Sequence, residues 1–304
     1  MSGELLVQAK DIDNDGLFTL DLVQGKSMAV NEVAEIESFS FSHVGKVRKD
    51  NQDSIRLCNP NDDLTAVAGH LYGVADGMGG YAHGGVASSL ALETFFETFY
   101  AANGVSPLQK FRVGIQNANL SVYQTAQRLN AGSMGTTLTA VNVVGHDLHI
   151  GHVGDSRAYL IRGNKTTCLT NDHTRVGELV RMRILSADKV RTHNQRSVLN
   201  RCLGLELFVQ PDITKISVQN DDIIILCTDG VWSVIEDKEF AQLTKGKNNF
   251  ENLSQEIVQL AMDRESDDNL SIVIINLNRL ASHNTAYKTK WSWSLPNVFR
   301  RIIK

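Results

Sequence analysis

The stretch that most constrains this chain is LYGVADGMGGYAHGG, Leu71 to Gly85. An apolar run leads to Asp76, glycines follow at 77, 79, 80, 84 and 85, and Val86 opens a helical pattern. The pattern predicts a buried-type strand that delivers a carboxylate to the rim of a sheet. Gly77 can turn its backbone there without steric cost and can approach an ion or anion closely. Asp-Gly alone reads as an ordinary strand-to-helix turn. Two further acidic turns change that reading. DDIIILCTDGVWSVI, Asp221 to Ile235, repeats the logic with Asp229 and Gly230, and DRESDDNLSIVIINLN, Asp263 to Asn278, reverses it, the acidic turn first and the apolar strand after. Asp76, Asp229 and Asp268 are thus each predicted at the tip of a core strand.

The rest of the chain builds a frame around these tips. SFSFSHV, Ser38 to Val44, alternates with the period of a half-buried strand, and Gly45 to Ser54 follows as a basic loop. A second strand is expected over Leu64 to Ala75, and residues 86 to 100 and 107 to 129 read as two long helices. After Gly132 the pattern turns to short strands, GTTLTAVNVV, DLHIGHVGDSRAYLIRG and KTTCLT, which predict an antiparallel meander with Asp155 in a turn. His149 and His152 lie on these strands without any spacing that suggests a metal, and read as half-buried strand residues. Asn171 to Gly204 is polar, basic and helix-prone. On its own it reads equally as a solvated face and as a cover over a site.

A net charge of −4 argues against general nucleic-acid affinity. Cys58, Cys168, Cys202 and Cys227 are scattered, with no C-x-x-C, so neither a zinc site nor a disulfide framework is suggested and a reducing cytoplasm is expected. There is no signal pattern and no apolar run of spanning length. The first 37 residues carry a net charge of −6 and include DIDNDG, Asp11 to Gly16, which imitates the start of a calcium loop. Leu22 stands where the bidentate glutamate of such a loop belongs, so an acidic turn between short strands is the preferred reading.

Carboxylates gathered without His or Cys form a hard-oxygen site, suited to magnesium or manganese. A water held between two divalent ions yields hydroxide at neutral pH, and the ions screen the charge of a phosphate ester. A nearby arginine is the natural phosphate clamp.

Six ordered motifs make this specific: R-x-x-N-Q-D from Arg48, V-A-D-G-M-G-G around Asp76, G-T-T from Gly135, G-D-S-R from Gly154, T-D-G-V-W from Thr228 and D-D-N-L-S from Asp267. Over Phe39 to Leu277 the chain resembles the metal-dependent serine/threonine protein phosphatases of type 2C, in their bacterial branch. The resemblance implies an α+β fold, an αββα sandwich of two antiparallel sheets with helices outside and metals at one end. Two Mn2+ or Mg2+ ions are implied, with a third, weaker one. Asp76 looks like the carboxylate that bridges both metals, and Gly77 contributes its carbonyl. Asp229 and Asp268 look like the carboxylates completing the first metal, and Asp155 resembles a ligand of the third. Arg48 is similar to the phosphate-binding arginine, and Asp53 would orient metal-bound water from behind. The insertion at 171–204 matches a flap beside the active site, which favours a substrate-facing role. The chain departs from the family at Gln52, where many relatives carry an acidic residue near one metal, and at Met78, where some carry a histidine proposed as general acid.

The implied activity is hydrolysis of phosphoserine and phosphothreonine in proteins, opposing a serine/threonine kinase or acting on its substrates. The competing reading is a binding module that recognises a phosphoprotein without turning it over; retention of Asp76, Asp229, Asp268 and Arg48 speaks against it. The expected organisation is an acidic extension over 1–37, a catalytic domain over 38–278 and a basic, aromatic tail over 279–304. The tail has a charge of +6 and an apolar face formed by Leu295, Val298, Phe299, Ile302 and Ile303. It could lie on the inner face of a membrane, dock on a protein partner, or fold back onto the acidic N-terminus.

Overall fold

A computed structural model describes residues 6–12, 18–23, 34–79, 83–132 and 134–281. Near the N-terminus, β1 (Leu6–Ile12) and β2 (Phe18–Val23) pair as an antiparallel hairpin. The expected acidic turn begins in β1, but residues 13–17 lie outside the described residues, as does the tail from 282 onward.

The remaining strands are β3 (Glu35–His43), β4 (Asp53–Leu57), β5 (His70–Met78), β6 (Gly135–Thr136), β7 (Leu138–Val144), β8 (Asp147–Val153), β9 (Arg157–Arg162), β10 (Lys165–Cys168), β11 (Asp212–Ser217), β12 (Asp222–Cys227) and β13 (Leu270–Arg279). The helices are α1 (Asp63–Ala68), α2 (His83–Ala101), α3 (Pro107–Leu129), α4 (Arg175–Arg181), α5 (Asp229–Trp232), α6 (Asp237–Thr244) and α7 (Phe250–Asp263). One sheet runs β10-β9-β12-β13-β3 and the other β11-β8-β7-β5-β4, with β6 beside β5; every pairing is antiparallel.

Alternation along the strands explains why they read as continuous apolar runs. Ile224 and Leu226 of β12 and Val273, Ile275 and Leu277 of β13 meet Tyr72, Val74, Val141 and Ile150 between the sheets. The intervening Ile225, Cys227, Ile272 and Ile274 face outward against Trp232, Phe240, Leu253 and Ile257 of the helices. On the opposite side Leu71 and Ala75 of β5 pack under Phe95, Phe99, Phe111 and Ile115 of α2 and α3. A sheet covered on both faces has no polar side to display. The result is the expected αββα sandwich.

The two long helices lie where periodicity placed them. Ser106 caps α3 in a reciprocal box with Gln109, and Pro107 occupies its first turn. Three expectations need correction. The strand expected over 64–75 begins only at His70, because Asp62 caps the short helix α1 by accepting from the Leu64 N–H. Leu64 and Val67 made the run look buried, yet both are exposed. The loop expected through Ser54 already becomes strand at Asp53. The expected single meander is split between sheets: β7–β8 is a hairpin in one, and the chain crosses at 154–156 so that β9–β10 joins the other. That crossing carries Asp155 to the end of both sheets. Among the described residues no helix is long and apolar enough to cross a membrane.

Candidate active site

The strand ends converge on a cavity of about 510 Å³, lined among others by Arg48, Asp76, Gly77, Asp155, Asp229 and Asp268. Asp53 sits directly opposite Asp76 in the β4–β5 ladder. Asp229 opens α5 at the end of β12, and Asp268 stands in the turn before β13. The fold therefore brings together Arg48, Asp53, Asp76, Gly77, Asp155, Asp229 and Asp268.

Each backbone turn is held in place by side chains. The Asp76 N–H donates to Thr137 Oγ1 (2.8 Å), and its carbonyl accepts from Thr137 N–H and Thr136 Oγ1 (both 2.9 Å). The G-T-T motif thus acts as a bracket for Asp76. Thr228 Oγ1 donates to Asp53 Oδ2 (2.8 Å) and accepts from the Ser271 N–H (3.1 Å). Trp232 Nε1 donates to the Asp155 carbonyl (2.9 Å), and the Arg157 guanidinium lies 3.6 Å from the centre of its ring. Arg157 in turn makes a two-pronged pair with Asp172 (2.9 and 2.6 Å) at the root of the flap. At Gly77 any side chain would overlap the Gly84 carbonyl, so only glycine lets α2 start this close to the cavity.

The electrostatics are those of carboxylates crowded into a buried space. Burial, then repulsion from Asp53, Asp229, Asp155 and Asp268, pushes the Asp76 carboxyl well above the usual carboxylate range. Burial likewise raises Asp155, reinforced by Asp229 and Asp172, against the pull of Arg157. Asp229 is pushed up to about 6 by burial and the charge of Asp268, with Arg196 opposing. Asp53 reaches about 7, burial dominating and Asp229 and Asp268 adding repulsion. Asp53 Oδ1 and Asp229 Oδ1 are buried without a hydrogen-bond partner. A bare carboxylate oxygen in a cavity that Asp229 shares with Asp76, Asp155 and Asp268 fits hard divalent cations. Among the described residues no three acidic, imidazole or thiolate groups close on one point.

Arg48 Nη2 donates to Asp268 Oδ2 (2.6 Å), a bond that raises the arginine's basicity, while the Asn269 N–H donates to Asp268 Oδ1 (2.8 Å). Gln52 and Met78, the two departures, both line the cavity. The flap contributes Ser197 and Leu199, with Cys202 and Leu205 at its base, and Arg196 lies 3.6 Å from Asp267. This face of 171–204 is turned to the cavity.

The two strand histidines stay out of it. His152 is buried, within hydrogen-bond distance of Thr139 Oγ1 (2.8 Å) and the Asn171 carbonyl (3.0 Å), and burial drives it down to about 3. Thr228, Trp232 and Asn269 were quoted within motifs but given no task by sequence reasoning. Their roles depend on partners far away in the chain. Position within a motif was the only signal that could have found them.

A cavity crowded with carboxylates, with a guanidinium at its edge, fits a metal-dependent phosphatase. The protein phosphatase 2C family model matches residues 37–270, and the chain belongs to that family. The serine/threonine phosphatase stp of Listeria welshimeri is 28% identical over 239 residues, spanning 77% of this chain and 93% of that one. The crystal structure of the Mycobacterium tuberculosis serine/threonine phosphatase PstP/Ppp superposes with a TM-score of 0.71 at 29% identity, covering 80% of this chain and 99% of that one. The catalytic domain of PstP in complex with two manganese ions is 28% identical, with a TM-score of 0.68 over 79% and 97% of the two chains. The protein is a metal-dependent serine/threonine phosphatase of the 2C type whose substrates are phosphoproteins.

Proposed function

We propose that the cavity hydrolyses phosphoserine and phosphothreonine with Asp76, Asp229, Asp268 and the Gly77 carbonyl holding two Mn2+ or Mg2+ ions and Asp155 serving a third. The observation that carries this is the buried, unpartnered Oδ1 of Asp229 in a cavity whose carboxylates repel one another, with a second such oxygen on Asp53 beside Asp76. Such ions, when bound, supply an activated water and neutralise charge on the phosphate. What the chain supplies is position. Arg48, exposed on the loop between β3 and β4 and bonded to Asp268, would be released to clamp the substrate phosphate were that carboxylate to hold a cation. Thr228 leaves Asp53 Oδ1 unbonded, and that oxygen would accept from a metal-held water and orient it. Ser197 and Leu199 of the flap face the substrate chain.

The catalytic unit in this reading spans 38–278, and the physiological substrate is a serine/threonine kinase or a protein it phosphorylates, in the cytoplasm. The basic tail beyond 279 is the element assigned to docking on a protein or on the inner membrane face. The test is phosphate release from a phosphothreonine peptide by chelator-stripped protein, with manganese, magnesium or calcium added back. Recovery with manganese or magnesium is expected; silence with every metal, in protein shown to be folded, would overturn the assignment of the ligands.

A further inference from the structure

The loop that carries Arg48 is poorly anchored by its own residues. Lys46, Val47, Arg48, Lys49 and Asp50 are all exposed. Besides Arg48–Asp268, the loop's own ion pair is the exposed contact of Lys46 with Asp263 at 3.4 Å, worth little in water. Yet both ends of the loop converge on one buried side chain. Asn269 Nδ2 donates to the Val44 carbonyl (2.8 Å) and to the Asp50 carbonyl (3.0 Å), while its Oδ1 accepts from the Gln52 N–H (2.8 Å). Two donors and one acceptor are thereby all used, and a flipped amide would set its oxygen against two carbonyls. Asn269 itself is only 5% exposed. Gly45 completes the seam: its φ is +83°, and a side chain there would overlap the Asp268 carbonyl.

We propose that Asn269 is a positioning residue for the phosphatase reaction: its carboxamide ties the start and the end of the Val44–Gln52 loop together and so sets where the Arg48 guanidinium meets the substrate phosphate. The inference rests on Arg48 being the phosphate clamp. An alanine at 269 removes the three bonds and frees the Val44 and Asp50 carbonyls and the Gln52 N–H. The Gln52 carbonyl keeps the Gly77 N–H and Ser88 Oγ, and Asn51 Nδ2 keeps Ser42 Oγ, so the segment from Gly45 to Asp50 that carries Arg48 loosens and must be ordered at the moment of binding. That cost falls on substrate capture rather than on the chemical step. Because Asn269 acts through Arg48, its loss should matter little once Arg48 is gone.

The experiment is steady-state kinetics on a phosphothreonine peptide for wild type, Asn269→Ala, Arg48→Ala and the double variant. Hydrogen exchange of the metal-free proteins gives a readout independent of turnover. Asn269→Ala is expected to raise KM about fivefold with kcat less affected, to speed exchange of the amides of 45–51 while β12 stays protected, and to add nothing to Arg48→Ala. Should Asn269→Ala lose cooperative melting, the near-isosteric Asn269→Asp carries the test. It keeps the acceptor for Gln52 but cannot donate to both carbonyls, and the same rise in KM is expected. An Asn269 effect that adds in full to Arg48→Ala, or an unchanged KM, would overturn the proposal while leaving the clamp intact. A shifted metal requirement at constant KM would assign Asn269 to Asp268 instead and also overturn it. An Arg48→Ala variant with normal KM would refute the clamp itself, and the proposal with it.

Discussion

Replacing Asp229 with Asn should make the metal-free protein more stable while destroying its activity. In the stripped protein Asp229 shares a cavity with Asp76, Asp155 and Asp268, and its carboxyl is pushed from 3.8 to about 6. An acid whose folded pKa is raised imposes no cost below its unfolded pKa and its full cost above its folded pKa. The burden is therefore absent below about pH 4 and complete above about pH 6. At ~1.4 kcal/mol per unit the shift corresponds to at most about 3 kcal/mol at pH 7. Asn keeps the shape and removes the charge, so a gain of about 2 kcal/mol is expected, a rise in Tm of roughly 4–8 °C for a domain of this size. The assay is thermal melting after exhaustive chelation, at pH 5 and pH 7.5, with and without manganese. Wild type should gain more than the variant on acidification, because protonation of Asp229 relieves it of a charge that the variant lacks at either pH; the Tm gap between them should accordingly shrink at pH 5. Manganese should stabilise wild type more than the variant. A variant that melts at or below the wild-type temperature at pH 7.5, or that still turns over substrate, would refute the reasoning.

Arg48→Ala should chiefly raise KM for a phosphopeptide, by about tenfold, since an exposed clamp contributes to capture more than to folding; equal Tm and raised KM are the expected pair of measurements. Trp232→Phe keeps the apolar body and removes the indole donor to the Asp155 carbonyl, so Tm should fall by an amount equivalent to about 1–2 kcal/mol, read by differential scanning calorimetry. Glu239 is held at about 2 chiefly by its two-pronged bond to Arg264. Being depressed, it contributes stability that is present above its unfolded value near 4.5 and lost as pH falls through about 2. Glu239→Gln should therefore lower Tm at pH 7 slightly and flatten its decline between about pH 4.5 and 2.

The sandwich and the three principal carboxylates were legible because one local signal encodes both. A strand packed on helices at one face and on a second sheet at the other must be apolar along its covered length, and Ile223–Cys227 and Ile272–Ile275 are. Where such a run stops at Asp76, Asp229 or Asp268, the acid has nowhere to sit but the sheet's end. Local pattern failed where two environments share a composition. Leu64–Ala68 has the residues of a strand and the cap of a helix, and the Asp62 hydrogen bond decided. Nothing in Gly154–Ser156 announces that the chain changes sheets there. The contacts that tune the site join residues remote in sequence: Arg48 with Asp268, Asp53 with Thr228, Val44 with Asn269. Which carboxylate oxygen is left bare, and which is bonded by a hydroxyl, follows from those meetings. Hydrophobic periodicity is a property of neighbours along the chain and can be read in order; desolvation and charge repulsion depend on distance in space, and only the folded structure sets those distances.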